Sequence, residues 1–462
     1  MTMKKLIGLT RSKNAVRHLS TIILLAFGLN AAAQQGEMQY YRPNDRTGLN
    51  VFETTKNDTT SFHKLHVKVG GAFEETFQNL NNKNTASAMT LPAYSGNVNS
   101  LESLTPAFDL AMANLNIDVQ LADGIRVNLT TYLASRHHED VWVKGGYIQF
   151  DKLLFLNSAF VDNIMKSVTI KVGQFDVNYG DQVFRRTDGG NTIYNPFIEN
   201  YILDEFATEI GGEFIYHHKS GLFALGGITN GELDPTMLSS AKIDSATGKL
   251  NKYDAAFHGK IGYDKQLTQD LRFRLSGSFY TDKSANSNTL FGGDRTGSHY
   301  YDVMSNAAVA KGTTLSDAND YNPFSGRLNP GFSEEVNTVM GNLFLKYKGL
   351  ELFGTAESAK GRTITEKTQR QATQYAFDAV YRFTKKENFW VAFRYNTVNA
   401  ALQGYTNNVT IQREAGSIGW FLTRNVMMKA EYVNQVYMGY PANNILNGGK
   451  FYGYCLEASI AF

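Results

Sequence analysis

From about residue 62 onward, apolar and polar residues alternate with a period of two, the period of a strand. The final stretch, Lys450 to Phe462, shows it most cleanly. Tyr452, Tyr454, Leu456, Ala458, Ile460 and Phe462 share one face; Phe451, Gly453, Cys455, Glu457, Ser459 and Ala461 share the other. The first face is apolar with an aromatic at each end, and the second is small or polar. At ~3.3 Å per residue and a tilt of ~40°, Tyr452 and Phe462 stand roughly 25 Å apart along a membrane normal. That spacing predicts a lipid-facing band with an aromatic at each interface.

About sixteen such segments recur, separated by turn signals. The clearest are Ile125–Ala134, Val168–Gln174, Thr208–His218, Leu271–Tyr280, Asn337–Tyr347, Leu350–Ala359, Gln374–Phe383, Phe389–Val398, Val409–Phe421, Val426–Gln435 and the terminal strand. Weaker ones are His63–Phe77, Ala107–Leu121, Val141–Phe150, Leu222–Thr229 and Ala255–Tyr263. Their connections alternate in length. Ala122–Gly124, Lys219–Gly221, Asp264–Asp270, Lys348–Gly349, Thr384–Asn388 and Leu422–Asn425 are short. Most of the other set is long, with Gln78–Pro106, Phe175–Ala207, Asn230–Asp254 and Thr281–Val336 the extremes. Short periplasmic turns and long external loops alternate in this way in a membrane barrel, and a soluble sandwich has no reason to do so. Two connections break the rhythm: His137–Asp140 is short for an external loop, and Asp151–Lys166 is long for a periplasmic turn. The prediction is an all-β transmembrane antiparallel barrel whose last strand ends at the periplasmic side and closes on the first.

Composition agrees. The chain carries 25 Tyr, 30 Phe and 41 Gly in 462 residues, with 19% charged residues. No interior run reaches the ~18 apolar residues of a membrane helix. A net charge of +2 gives no drive toward nucleic acid. The one cysteine, Cys455, excludes an internal disulfide. The N-terminus has Lys4, Lys5, Arg11, Lys13 and Arg17, then an apolar run from Leu19 to Leu29, then Ala31-Ala32-Ala33. This is the pattern of a cleaved signal peptide over residues 1–33. Residues 34–61 read as a periplasmic N-terminal tail, polar and without a clear period, although the same stretch could form a small plug. Residues 62–462 then form the barrel in the outer membrane of a Gram-negative cell.

If the apolar parity meets lipid, the other parity lines the lumen. It brings in Arg126, Lys171, Arg272, Arg274, Lys346, Arg382, Arg394 and Lys429 with Glu209, Glu213, Glu351, Glu357, Asp378, Glu431 and Glu457. Charges toward lipid would cost ~2–4 kcal/mol each for Arg or Lys at the midplane, so a water-filled interior is expected. Some sixteen strands enclose an aqueous channel that something must narrow. The connection Phe175–Ala207 is the candidate, because it keeps Val183, Phe184, Ile193, Tyr194, Phe197, Tyr201, Ile202, Leu203 and Phe206. Such residues suit a loop folded inward onto the wall. Arg185 and Arg186 face six carboxylates in it, Asp181 and Asp188 among them, and would set a transverse field across a constriction.

Lys171-Val-Gly-Gln-Phe-Asp-Val-Asn-Tyr-Gly180, Gly211-Gly-Glu-Phe214, Phe393-Arg-Tyr-Asn396, Gly419–Asn425 and Lys429–Gln435 together resemble the phosphate-selective porin (porin O and P) family as it occurs in Bacteroidetes. The terminal Phe462 is similar to the C-terminal signal read by the barrel-assembly machinery. The resemblance implies a sixteen-stranded porin, usually a homotrimer, with its third loop folded inward, passing small hydrophilic solutes or ions. Phosphate-selective members use a basic ladder; here bases and acids of the expected lumen nearly cancel. No GxSxG, HExxH or phosphate-loop motif is present, so no catalytic residue, metal or other cofactor is expected. The rival readings are an adhesin or scaffold barrel working through Thr281–Val336, or an outer-membrane hydrolase, for which His137-His138-Glu139-Asp140 is the only dense cluster.

Overall fold

A computed structural model describes residues 37–462, apart from 135–140, 189, 234–241, 252, 286, 295, 297 and 311–324. The expected signal peptide and the His137–Asp140 cluster lie outside the described residues. Sixteen strands close one antiparallel barrel. They are β1 (His66–Lys83), β2 (Ala107–Ala122), β3 (Ile125–Ala134), β4 (Trp142–Phe150), β5 (Val168–Asp176), β6 (Thr208–His217), β7 (Leu222–Thr229) and β8 (Ala256–Gln266). There follow β9 (Leu271–Asp282), β10 (Glu335–Tyr347), β11 (Leu350–Arg362), β12 (Arg370–Phe383), β13 (Phe389–Ala400), β14 (Val409–Phe421), β15 (Val426–Met438) and β16 (Lys450–Ala461). Each strand pairs with its neighbour in the chain, and β16 returns to β1 with Ala461 opposite Ala72 and Lys450 opposite Lys83. A two-residue ribbon, Tyr94–Ser95 with Val309–Ala310, lies outside the barrel.

Every strand expected from the sequence is present. Several run further at the long-loop end: β11 reaches Arg362 and β12 starts at Arg370. Those added rungs carry polar residues on both faces, so alternation gives no sign of them. Parity sets the two faces. On β16, Tyr454 is 61% and Leu456 50% exposed, whereas Cys455 and Glu457 between them are 0% and 2% exposed. The outward set continues around the barrel through Phe214, Ile261, Leu275, Leu343, Phe377 and Phe393. This continuous exposed apolar face suits a hydrocarbon surround.

The inside departs from a uniformly wet channel. The loop after β5 and the loop after β9 both turn inward and interlock. Phe206 donates its N–H to Leu290 O at 2.8 Å, and Leu328 N–H to Ile202 O at 2.8 Å. Their apolar side chains, including Ile202, Leu203, Leu290, Tyr300 and Val303, join Val336, Met340, Val398, Ile411, Val433 and Phe451 of the wall in one core. The stretches of the loop after β9 that carry Leu290, Tyr300, Val303 and Leu328 are thus barrel filling, whereas Val309–Ala310 belong to the ribbon outside the barrel.

Residues 37–61 also pack inward, from the short-turn end. Arg46 N–H bonds Arg424 O at 3.0 Å, and the Arg424 guanidinium reaches Asp45 at 2.6 Å. Phe52 stacks edge-on against Phe184 and Phe344, with centroids 5.7 and 5.5 Å away. Its apolar residues, Tyr40, Tyr41 and Phe52, hold this otherwise polar segment in place. The long turn Asp151–Lys166 is accounted for by a 3-10 turn, Leu154–Leu156, and a helix, Ala159–Met165, capped by Ser158.

Candidate functional site

Two kinds of interior follow from where the inward loops sit. Against β9–β16 and β1 they pack closely. Arg394 holds Asp378 through two bonds, at 2.7 and 2.9 Å, donates to Glu199 O at 2.7 Å, and lies 4.1 Å over the Phe197 ring. Lys429 pairs with Glu457 at 2.8 Å and donates to Phe197 O at 2.6 Å. Arg382 pairs with Glu351 at 3.0 Å. Burying a charge costs several kcal/mol unless a partner compensates it, and each of these has one.

The loop after β5 is locked by its own charges. Arg186 is bracketed by Asp188, at 2.7 Å, and Asp204. Arg327 of the neighbouring loop reaches Asp204 at 2.6 Å and Glu199 at 2.8 Å. Burial alone would raise the Glu199 carboxyl, but Arg327 and the His299 N–H hold it down at about 2. Asp181 faces burial too, and Arg274 at 2.7 Å with Lys260 at 3.2 Å keeps it well below the usual carboxylate range. Arg185 lies over the Phe353 ring and 3.8 Å from Asp378. Arg185, Arg186, Asp181 and Asp188, expected at a constriction, are all buried in the loop–wall contact, and none of them is among the residues lining the cavity that remains.

On the opposite side a gap remains. A cavity of about 260 Å³ lies between the inner wall of β2–β5, the loop after β5 and the segment 41–54. It touches β5 from Thr169 to Asp176 and β4 from Lys144 to Gln149, nearly the whole length of both strands. Asn116, Asn128, Thr130 and Gln174 give it a water-compatible surface, and Tyr41, Tyr147, Phe175, Phe184 and Tyr194 give it rings. Gly173, at φ 132°, lets β5 run tight against β4: a Cβ there would meet Gly146 O at 2.5 Å. Most charges on the gap are matched. Arg126 donates to Asp118 at 2.8 Å and to Gln149 at 3.0 Å. Lys171 meets Glu213 at 3.3 Å beside the Tyr147 ring, and Lys144 pairs with Asp294.

Of the expected lumen residues, the gap brings together Arg126 and Lys171, with Glu213 behind Lys171. Arg274 sits under Asp181 and Glu53; Arg272 pairs with Asp264 at 2.7 Å. Arg382, Arg394 and Lys429 lie under the loops. Sequence reasoning missed Arg42, Lys144 and Tyr147. Parity was available for Lys144 and Tyr147, but the ladder passes from Thr130–Gly145 to Thr131–Val143 and leaves Lys144 as a bulge, so β4 changes phase along its length. Arg42 belongs to a segment without a period, and only the neighbouring Tyr40 and Tyr41 hinted that it packs.

No family model matches the chain, and no curated protein matches it. Solved structures do. The trimer form of OmpT, an outer membrane protein of Vibrio cholerae, aligns at 10% identity and a TM-score of 0.48, covering 87% of this chain and 100% of that one. The anion-selective porin from Comamonas acidovorans aligns at 10% identity and a TM-score of 0.46, covering 86% and 100%. The outer membrane channel DcaP of Acinetobacter baumannii aligns at 12% identity and a TM-score of 0.47, covering 87% and 99%. The likeness is to the barrel, which the closed strand register already establishes.

Proposed function

We propose that this chain is an outer-membrane porin, a passive diffusion channel through which small hydrophilic solutes or ions cross by way of the gap along β2–β5. The observation that carries this reading is the extent of the gap, which follows β4 and β5 almost end to end between polar walls. The bare apolar outer face supports placement in a lipid bilayer, and the pattern of residues 1–33 supports export by a cleaved signal peptide. On this reading the tail of residues 34–61 is periplasmic in origin, and its described part, 37–61, narrows the inner mouth. The strand ending at Phe462 is the one offered to the barrel-assembly machinery, and three copies assemble as a homotrimer. Arg126 and Lys171 line the path. Four bases of the gap, Arg42, Arg126, Lys144 and Lys171, stand against Glu53, Asp118 and Asp176. This near balance supports a weakly selective channel in preference to a phosphate-selective one, with small anions such as phosphate among the solutes passed. Liposome swelling tests the reading: reconstituted protein should admit monosaccharides and exclude larger oligosaccharides. Liposomes that hold correctly folded protein and admit no solute would refute it.

A further inference from the structure

The turn between β4 and β5 is long and apolar where its neighbours on the same side of the barrel are short and largely polar. Its 3-10 turn and its helix leave five large apolar side chains exposed: Leu154, Phe155, Leu156, Phe160 and Ile164, with Phe155 at 66% and Phe160 at 74%. None of them lines the gap or joins an apolar core among the described residues. Yet the turn is held firmly. Asp151 at its root accepts from the Lys56 ammonium at 2.9 Å and donates its N–H to Gly124 O at 2.7 Å. Ser158 caps the helix, Met165 is buried, and Ser167 O accepts from the His217 N–H at 2.8 Å. Phe160 and Ile164, one helical turn apart, are thus fixed on one exposed face.

Two features of the barrel point to what covers that face. The short-turn ends carry a belt of exposed aromatics: Tyr216 on β6, Tyr347 on β10, Phe383 on β12, Phe389 on β13, Trp420 on β14 and Phe462 after β16. Such a belt marks a membrane interface. From β2 to β5 it is missing, and Leu121, Ile125, the half-buried Phe150 and Val168 stand at those ends instead. β4 and β5 are also among the shortest strands, nine residues each. At ~3.3 Å per residue and a tilt of ~40° they span roughly 23 Å, less than the ~25 Å of an apolar band.

We infer that the turn is an interfacial anchor lying in the inner leaflet of the outer membrane, with Phe155 and Phe160 set among phospholipid acyl chains. It completes the belt in the sector where the strands fall short. Lys152 and Lys166 bracket the apolar stretch, and the exposed Lys219 stands in the next short turn. Asp162, the only acid between the first two, is half-buried. Lysine stems lie along apolar surface while their ammonium groups reach the phosphates, and an apolar stretch bracketed by bases suits a segment lying in the interface plane. The anchor belongs to the outside of the barrel and stands whether or not solutes pass the gap.

Nitroxide accessibility on the full-length protein, in vesicles of phosphatidylethanolamine and phosphatidylglycerol, tests this. The label is attached to Phe155→Cys and to Phe160→Cys, one at a time, in the Cys455→Ser protein. Leu275→Cys on the outer face of β9 is the lipid reference, and Gln269→Cys in the turn before β9 is the water reference. Heat-modifiable gel mobility checks that each variant is folded. At both turn positions oxygen should reach the label several-fold better than a water-soluble nickel chelate, as at Leu275→Cys, and the order should reverse at Gln269→Cys. Nickel access as high as at Gln269→Cys would mean that the face meets water, which overturns the anchor. Poor access to both reagents would mean that protein covers the face, a second copy of this chain included, and overturns it equally.

Discussion

At the scale of single residues, inward charges are paired both under the loops and on the gap, and the covered ones also hold a loop in place. Arg394 is the clearest covered case: it compensates Asp378, caps Glu199 O and underlies Phe197. Arg394→Met would leave the buried Asp378 with only the more distant Arg185, at 3.8 Å, and the Tyr201 hydroxyl, at 3.4 Å, and should cost up to about 3 kcal/mol. The barrel ladder does not depend on that contact, so the loop should loosen first. Trypsin at neutral pH should then cut after Arg185 and Arg186 in a protein whose β signal is intact; equal resistance to wild type would show that the pair does not hold the loop. Glu199 gives a pH-dependent counterpart. Its folded value of about 2 lies below the ~4.3 of an unfolded glutamate, so its contribution is full above that value and is lost as pH falls toward 2. The near-UV signal of Tyr194, Tyr201 and Tyr300 should fade over that window while the far-UV strand signal stays, and Glu199→Gln should show part of the loss at pH 7. A near-UV signal unchanged to pH 2 would contradict the lock.

At the scale of elements, period-two alternation was enough to place all sixteen barrel strands and the faces of most, β4 with its change of phase being the exception. The reason is physical: lipid on one side and protein or water on the other force a clean alternation wherever a rung lies in the membrane. Beyond the band the constraint lapses, which is why Glu335, Arg362 and Arg370 were read as loop. The terminal strand is the closing element. Phe462 N–H bonds Gly71 O at 3.0 Å, and Gly71 N–H bonds Phe462 O at 3.1 Å, sealing β16 to β1. An open strand edge in hydrocarbon is costly, so deletion of Phe462 should lower the yield of heat-modifiable barrel several-fold. Cys455 packs inward in the apolar core and bonds to nothing covalently, so Cys455→Ser should assemble normally. Normal assembly without Phe462 would mean that closure relies on the strand body alone.

At the scale of the molecule, the sequence foretold an inward loop and a charged lumen but not how the lumen is divided. Alternation reports which way a side chain points and is silent on what it meets there. Arg394 and Arg126 have the same inward parity, yet one lies under Phe197 and the other on the gap. That difference is decided by the loops after β5 and β9, and by Tyr41, Arg42 and Phe52 of the N-terminal segment, through contacts between residues often more than a hundred positions apart. The central claim is that solutes pass along β2–β5 and not through the filled side. Single-channel current in a planar bilayer tests it most directly, using single cysteines introduced in the Cys455→Ser protein. A charged methanethiosulfonate reagent should cut the current through Asn128→Cys, on the gap, and leave it unchanged through Asn396→Cys, which is 0% exposed beneath the loop. Block at Asn396→Cys with none at Asn128→Cys would place the path on the other side of the barrel and contradict the account.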